Sequence, residues 1–326
     1  MRRVRRMPRA PLLCRARGIA LLVALILVAL CTAIAAALAF DTGLGLRRAQ
    51  GGLAQDQALL LAGGAEAVAA EILADDLAFG NTPVHEAQRW HNPIGPLEPL
   101  PGVRVSAQLT DLQGRFNLNS LVTAEGRVDP VALEVFRGLL TRLDLEPEWA
   151  ERMADWIDAD DQALPAGAED AVYSSATPSY RTPGRPITTV AELLALPEFG
   201  AARYARLAPF VAALPRDATL NLCTTSAELL DALADERQWT GAPEALARNR
   251  ERGCFPTPAA FRGTMPPDRF ERLQRSLGIA DRSRHFGLAM QADVGSNTFT
   301  LYSLLRGAPG TEGPTRIRVM SRQFSE

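Results

Sequence analysis

Six carboxylates crowd into 16 residues of this 326-residue chain: Asp155, Asp158, Asp160, Asp161, Glu169 and Asp170. At that density they repel one another unless a cation bridges them, and hard oxygen ligands on a flexible loop suit Ca²⁺. Asp158, Asp160, Asp161, Glu169 and Asp170 are the expected ligands of a structural calcium ion; the alternative is a solvated acidic loop that holds nothing. The stretch is not an EF-hand, because the glycine at the sixth loop position and the glutamate at the twelfth are missing. Little else points to chemistry. His85, His91 and His285 are the only histidines, and none has metal-ligand spacing. No nucleophile elbow and no glycine-rich phosphate loop is present, so the chain is not expected to be an enzyme.

The acidic stretch spans the end of a helix predicted over 147–156 and the loop 159–168. Around it, residues 129–280 read as mostly helical. Asp129-Pro130 supplies an N-cap and a first-turn proline, followed by the stripe Val131, Val135, Leu139 and Leu143. Thr189-x-x-Glu192 and Thr225-x-x-Glu228 read as capping boxes, and weaker helices are expected at 201–213, 243–252 and 267–277. Strand patterns flank this block. Val103, Val105, Ala107 and Leu109 alternate with polar residues, and 285–294, 298–306 and 315–324 read as a terminal meander with turns at 295–297 and 307–314. Five prolines between Gly80 and Gly102 predict a loop there. The fold class is α+β, with the helical block inserted between strands.

At the other end, seven arginines (Arg2, Arg3, Arg5, Arg6, Arg9, Arg15, Arg17) precede an uncharged run from Ile19 to Phe40. At about 1.5 Å per helical residue that run crosses a bilayer core, and the basic flank holds the N-terminus in the cytoplasm. A cleaved signal peptide is the competing reading, since Ala37-Leu38-Ala39 mimics its cleavage site. The helical pattern continues to about Ala78, with Leu46, Leu53, Leu60, Val68, Ile72 and Leu77 read as a core-facing stripe. Six glycines between Gly43 and Gly64 weaken that helix. Without the seven arginines the formal charge of −2 becomes −9, which opposes binding to a polyphosphate. Beyond the bilayer an oxidising compartment favours a disulfide between Cys223 and Cys254, with two separately buried thiols as the alternative.

Gly18, between the basic leader and the apolar run, looks like a type IV prepilin processing site, with Ile19 the first mature residue; a plain signal anchor is the other reading. Pilins and most pseudopilins carry a glutamate at the fifth mature position, and here that residue is Val23. This departure resembles the K-type minor pseudopilins of type II secretion systems, and Asp111-Leu112-Gln113-Gly114-Arg115-Phe116-Asn117-Leu118-Asn119 resembles a segment of the same family. So does the acidic loop, Asp158-x-Asp160 followed by Gly167-Ala168-Glu169-Asp170, which that family associates with calcium.

The resemblance implies a leader (1–18), a transmembrane helix (19–40), a pilin-like lobe (41–123 and 283–326) split around an α-helical insertion (124–282), and cleavage by a prepilin peptidase. It implies a protein of the bacterial inner membrane with its C-terminal part in the periplasm. There it would sit at the pseudopilus tip with the minor pseudopilins I and J as partners and help start assembly for protein export. Leu193 to Ala205 also resembles a helix-hairpin-helix unit, and Leu220-Asn221 with Thr224 to Leu230 begins something like a second copy. Glu198 stands where such hairpins need a glycine to hold phosphate, so a packing unit without nucleic acid is expected. A membrane-anchored DNA receptor is the alternative.

Overall fold

A computed structural model describes residues 17–77, 82–308 and 316–325; the leader up to residue 16 and most of the 307–314 turn lie outside them. Helix α1 (Arg17–Leu77) opens the described chain, with Gly18 and Ile19 in its first turn. It runs through Gly43, Gly45, Gly51, Gly52, Gly63 and Gly64, and an added Cβ would meet nothing within 4 Å at any of them. Residues 58–326 make one compact unit.

The strands are β1 (Ile94–Leu100), β2 (Val103–Asp111), the short β3 (Phe116–Asn117), β4 (Val211–Ala212), β5 (Leu220–Asn221) and β6 (Ile279–Ala280), then β7 (His285–Val294), β8 (Asn297–Ala308) and β9 (Arg316–Ser325). One antiparallel sheet has the order β1-β2-β7-β8-β9, while β3-β4 and β5-β6 form two small parallel pairs. Strand β1 corrects the expected loop. Its Pro96 and Pro99 lie on a sheet edge, where a missing N–H costs no ladder bond, and its pairing with β2 slips register twice.

One face of the sheet packs on α1. Ala62, Ala69, Ile72 and Leu73 meet Leu109, Phe286, Leu288, Met290 and Leu301 in one apolar cluster. The expected stripe is the core face only in its last part: Ile72 and Leu77 pack in this cluster, whereas Leu46, Leu53, Leu60 and Val68 are 60, 64, 78 and 46% exposed. Ala62 and Ala69 let the helix approach the sheet closely, and Ile72 and Leu73 fill the cluster beside them. Glu66 is also in the packed face. It accepts hydrogen bonds from Ser303 Oγ at 2.6 Å and from Arg322 Nε and Nη2 at 2.8 and 2.7 Å. The Arg322 hydrogen bonds hold its carboxyl below the ordinary glutamate range despite burial.

Between β2 and β7 lie α2 (Pro130–Arg142), α3 (Trp149–Ile157), α4 (Asp170–Tyr173), α5 (Gly200–Leu207), α6 (Ala227–Ala234), α7 (Pro243–Arg250), α8 (Pro258–Arg262) and α9 (Pro267–Leu277). They enclose a second core that includes Phe136, Leu139, Trp149, Met153, Leu230 and Phe261, and Phe116, Leu118, Leu121 and Val122 belong to it too. Asp129 caps α2 as expected, accepting from the N–H groups of Val131 and Ala132. At α6 the cap is Ser226, not Thr225. Ser226 Oγ accepts from the Leu229 N–H, whereas Thr225 Oγ1 donates to the Asn221 carbonyl.

The hairpin-like segment is a 3₁₀ turn (Val190–Ala195) followed by α5, joined through Glu198 and Gly200 at φ 67° and 72°. Both residues are left-handed, a conformation that favours glycine, and Glu198 brings a carboxylate there instead. In the expected second copy, Leu220-Asn221 pairs with Ile279-Ala280 as a strand, and Ala227 to Leu230 open α6.

The turn 111–119 ties the two cores together, and its polar side chains do the tying. Asp111 Oδ2 accepts from Asn221 Nδ2, Thr224 Oγ1 and Ser283 Oγ, and Oδ1 from the Gln113 N–H. Gln113 Nε2 donates to the Thr219 carbonyl, and its Oε1 accepts from the N–H groups of Arg284 and His285. Asn117 Nδ2 donates to the Pro215 carbonyl, and its Oδ1 accepts from the Leu214 N–H. Asn119 Nδ2 donates to the carbonyls of Ile187 and Leu214, and its Oδ1 accepts from the Ile187 N–H. At Gly114 any Cβ would lie 2.5 Å from Thr224 Oγ1 and 2.7 Å from the Thr224 carbonyl, so only glycine fits.

Cys223 and Cys254 form a disulfide with their Cα atoms 4.6 Å apart, joining the end of β5 to the loop after α7. Closing a loop of 31 residues restricts the unfolded chain. Cys223→Ser is expected to lower stability by about 3 kcal/mol on the chain-entropy account. Urea unfolding of the variant against the oxidised wild type measures it.

Candidate metal centre

Helix α3 ends inside the helical core. Every residue from Trp149 to Ile157 except Arg152 is buried, which places Asp155 where water does not reach. Asp158 follows as the C-cap, three residues on and therefore beside Asp155. The chain then loops outward and returns through Gly167, delivering Glu169 just before α4. The three are 1, 2 and 7% exposed, and one carboxylate oxygen from each lies within 4.8 Å of the others.

The return of the loop is fixed from two sides. Glu151 accepts from the Ala166 N–H at 2.6 Å and pairs with Arg137. Asp155 accepts from the Leu164 N–H. At Gly167 an added Cβ would lie 1.8 Å from Asp155 Oδ2, so the glycine is what lets the backbone pass over the carboxylate.

The donor set fits a hard cation. Asp158 Oδ1 and both Glu169 oxygens are buried without a hydrogen-bond partner. Burial, reinforced by neighbouring carboxylates, pushes Asp158 and Glu169 up to about 7, and burial pushes Asp155 up to about 6. A 4.8 Å span is about twice a Ca²⁺–O distance, so all three oxygens can touch one ion. What the trio can do chemically is hold that ion and so hold the loop to the end of α3.

Of the five residues expected as ligands, Asp158 and Glu169 come together. Asp160 and Asp161 are exposed, Asp160 Oδ1 accepts from the Gln162 N–H, and both add negative charge around Asp158 and Glu169. Asp170 Oδ1 accepts from Thr182 N–H and Oγ1, and its Oδ2 lies 3.7 Å from Arg181, so it secures the 181–182 segment. Asp155 belongs to the acidic run but was not among the five. The signal for it was its place between Ala154 and Trp156 on a helix apolar around most of its girth.

The family model "Type II secretion system (T2SS), protein K" matches residues 114–216. Type II secretion system protein K of Pectobacterium carotovorum is 32% identical over 325 residues, covering 95% of this chain and 97% of that protein. The Pseudomonas aeruginosa protein K is 34% identical over 327 residues, covering 95% and 93%. The crystal structure of the GspK-GspI-GspJ complex from enterotoxigenic Escherichia coli shares the fold, with a TM-score of 0.73, 24% identity, and coverage of 86% of this chain and 99% of that one. At this identity and coverage the chain belongs to the type II secretion system protein K family, a family of minor pseudopilins of that system.

Proposed function

We propose that this minor pseudopilin is anchored in the inner membrane by the first part of α1, with residues from 41 onward in the periplasm. There it crowns the pseudopilus and helps start its assembly for export across the outer membrane. The observation that carries the reading is the surface of α1. From Ile19 to Phe40 it bears no charge, its side chains are exposed, and the fifth position after Gly18 is Val23. In a filament the fifth-position carboxylate is what a subunit offers to the one above it, so a subunit with valine there loses nothing only at the top. The exposed Leu46, Leu53 and Leu60 extend the apolar surface toward neighbouring pseudopilin helices.

A solved structure with this fold is a complex of GspK with GspI and GspJ, which supports minor pseudopilins I and J as partners. Prepilin peptidase is the enzyme that would cut after Gly18. A structural Ca²⁺ would be held by Asp155, Asp158 and Glu169, and no catalytic role is assigned. Mass spectrometry of the protein purified from membranes tests the anchor. A mature chain beginning at Ile19, methylated or not, is the expected result; a start at Phe40 overturns it. Co-purification with the I and J subunits of the same organism tests the tip complex.

A further inference from the structure

Every polar side chain of the 111–119 turn is used inside the protein except one. Asp111, Gln113, Asn117 and Asn119 bridge segments far apart in sequence, and Ser120 just beyond donates to the Asn117 carbonyl. The Arg115 guanidinium makes no hydrogen bond and no ion pair among the described residues. The charge it senses is Asp111, whose oxygens already accept four hydrogen bonds. Arg115 is half-buried, and the loss of water pulls its pKa below the ordinary arginine value. A cation that has lost part of its water and found no protein acceptor is poised to take one from outside.

Arg115 lines three clefts; one, of about 10 Å³, has no room for an anion, and the chemistry of the other two decides which one an anion would enter. The first, about 530 Å³, is also lined by Glu86 and Asp111. Acids there oppose a second negative charge. The other, about 500 Å³, lies on the sheet face turned away from α1 and has no acidic residue in its lining. Its walls carry Leu112, Val190 and Leu304 beside the hydroxyls of Thr110, Thr188 and Tyr302, and Tyr302 is 52% exposed. Arg322 borders this groove but is occupied by Glu66. The result is a groove of mixed apolar and hydroxyl surface with one unanswered positive charge.

We propose that this groove is a docking site for an acidic segment of a partner protein, one of whose side-chain carboxylates pairs with Arg115 while apolar neighbours rest on Leu112, Val190 and Leu304. Arginine suits a carboxylate through a two-point fork of hydrogen bonds, and a half-buried site strengthens it. The inference does not require the tip position.

The test uses the full chain in detergent and a labelled, end-blocked heptapeptide alternating valine with glutamate, read by fluorescence anisotropy. Its glutamine counterpart is the control. The acidic peptide is expected to bind and the neutral one to bind at least tenfold more weakly. Arg115→Gln should reduce acidic-peptide affinity about tenfold. Ala289→Glu, which places an acid in the same groove and leaves Arg115 in place, should do likewise and covers the case in which the arginine variant fails to fold. Equal binding of the two peptides, no binding of either, or full affinity in a folded Arg115→Gln overturns the proposal. So does self-association of the chain that Arg115→Gln abolishes, since the occupant would then be a second copy.

Discussion

Chelating calcium should lower the melting temperature of the protein at neutral pH by roughly 8–16 °C. An ion present at about a thousand times its Kd stabilises by about 4 kcal/mol, and each kcal/mol moves a domain of 150–250 residues by about 2–4 °C. Asp158→Asn combined with Glu169→Gln should abolish the response. Without calcium the same variant should melt above the wild type, because it removes two buried charges that have no partner.

The pH dependence has a definite sign. Asp158 and Glu169 titrate near 7 in the folded protein, above their ordinary values of 3.8 and 4.5. The folded chain therefore holds protons that the unfolded chain gives up, and calcium-free stability should fall as pH rises from about 4 to 7. Calcium competes with those protons, so its affinity should rise over the same interval. Differential scanning fluorimetry with and without chelator, at pH 5 and pH 7.5, reads both trends. A calcium-free protein that becomes more stable with rising pH, or a melting point indifferent to the ion, would remove the metal centre.

Asn119→Ala is expected to be at least as damaging, lowering stability by about 4–6 kcal/mol. The side chain is 2% exposed and satisfies the N–H and carbonyl of Ile187 and the carbonyl of Leu214. Each buried backbone group left unpaired costs about 1–3 kcal/mol. Asn119→Asp keeps the shape but turns a donor to two carbonyls into an acceptor, and should be no better. Equilibrium unfolding in urea measures both, and a loss below 1 kcal/mol would show that water replaces the amide.

The elements that follow a simple period could be read from the residues alone. The meander from His285 onward and β2 alternate cleanly because one face meets α1 and the other does not, and they were expected within a few residues of where they are. The kinship was legible in the turn 111–119 for a related reason: its side chains are fixed by specific partners, so their types are constrained one by one. Other features depend on distant contacts. Periodicity marked Leu46, Leu53 and Leu60 as a face but could not say which face the sheet would cover, and Ala62, Ala69, Ile72 and Leu73 take that role. The prolines of β1 argued against a strand only so long as its position at a sheet edge was unknown. The enclosure of Asp155 arises from segments far along the chain, and the isolation of Arg115 from the hydrogen bonds that engage Asp111 elsewhere, neither of which local sequence carries.

The pairing of β2 with β7 joins segments on opposite sides of the entire helical insertion. During synthesis the insertion has all its own sequence available first, whereas the sheet must wait for the C-terminal meander. Until then Ala62, Ala69 and Leu73 lack the cover of Phe286, Leu288, Met290 and Leu301, and closing so long a loop is slow. The last forty residues thus act as a late clasp, and a chain cut short near residue 284 would carry a folded helical body on an anchor helix still vulnerable to proteases.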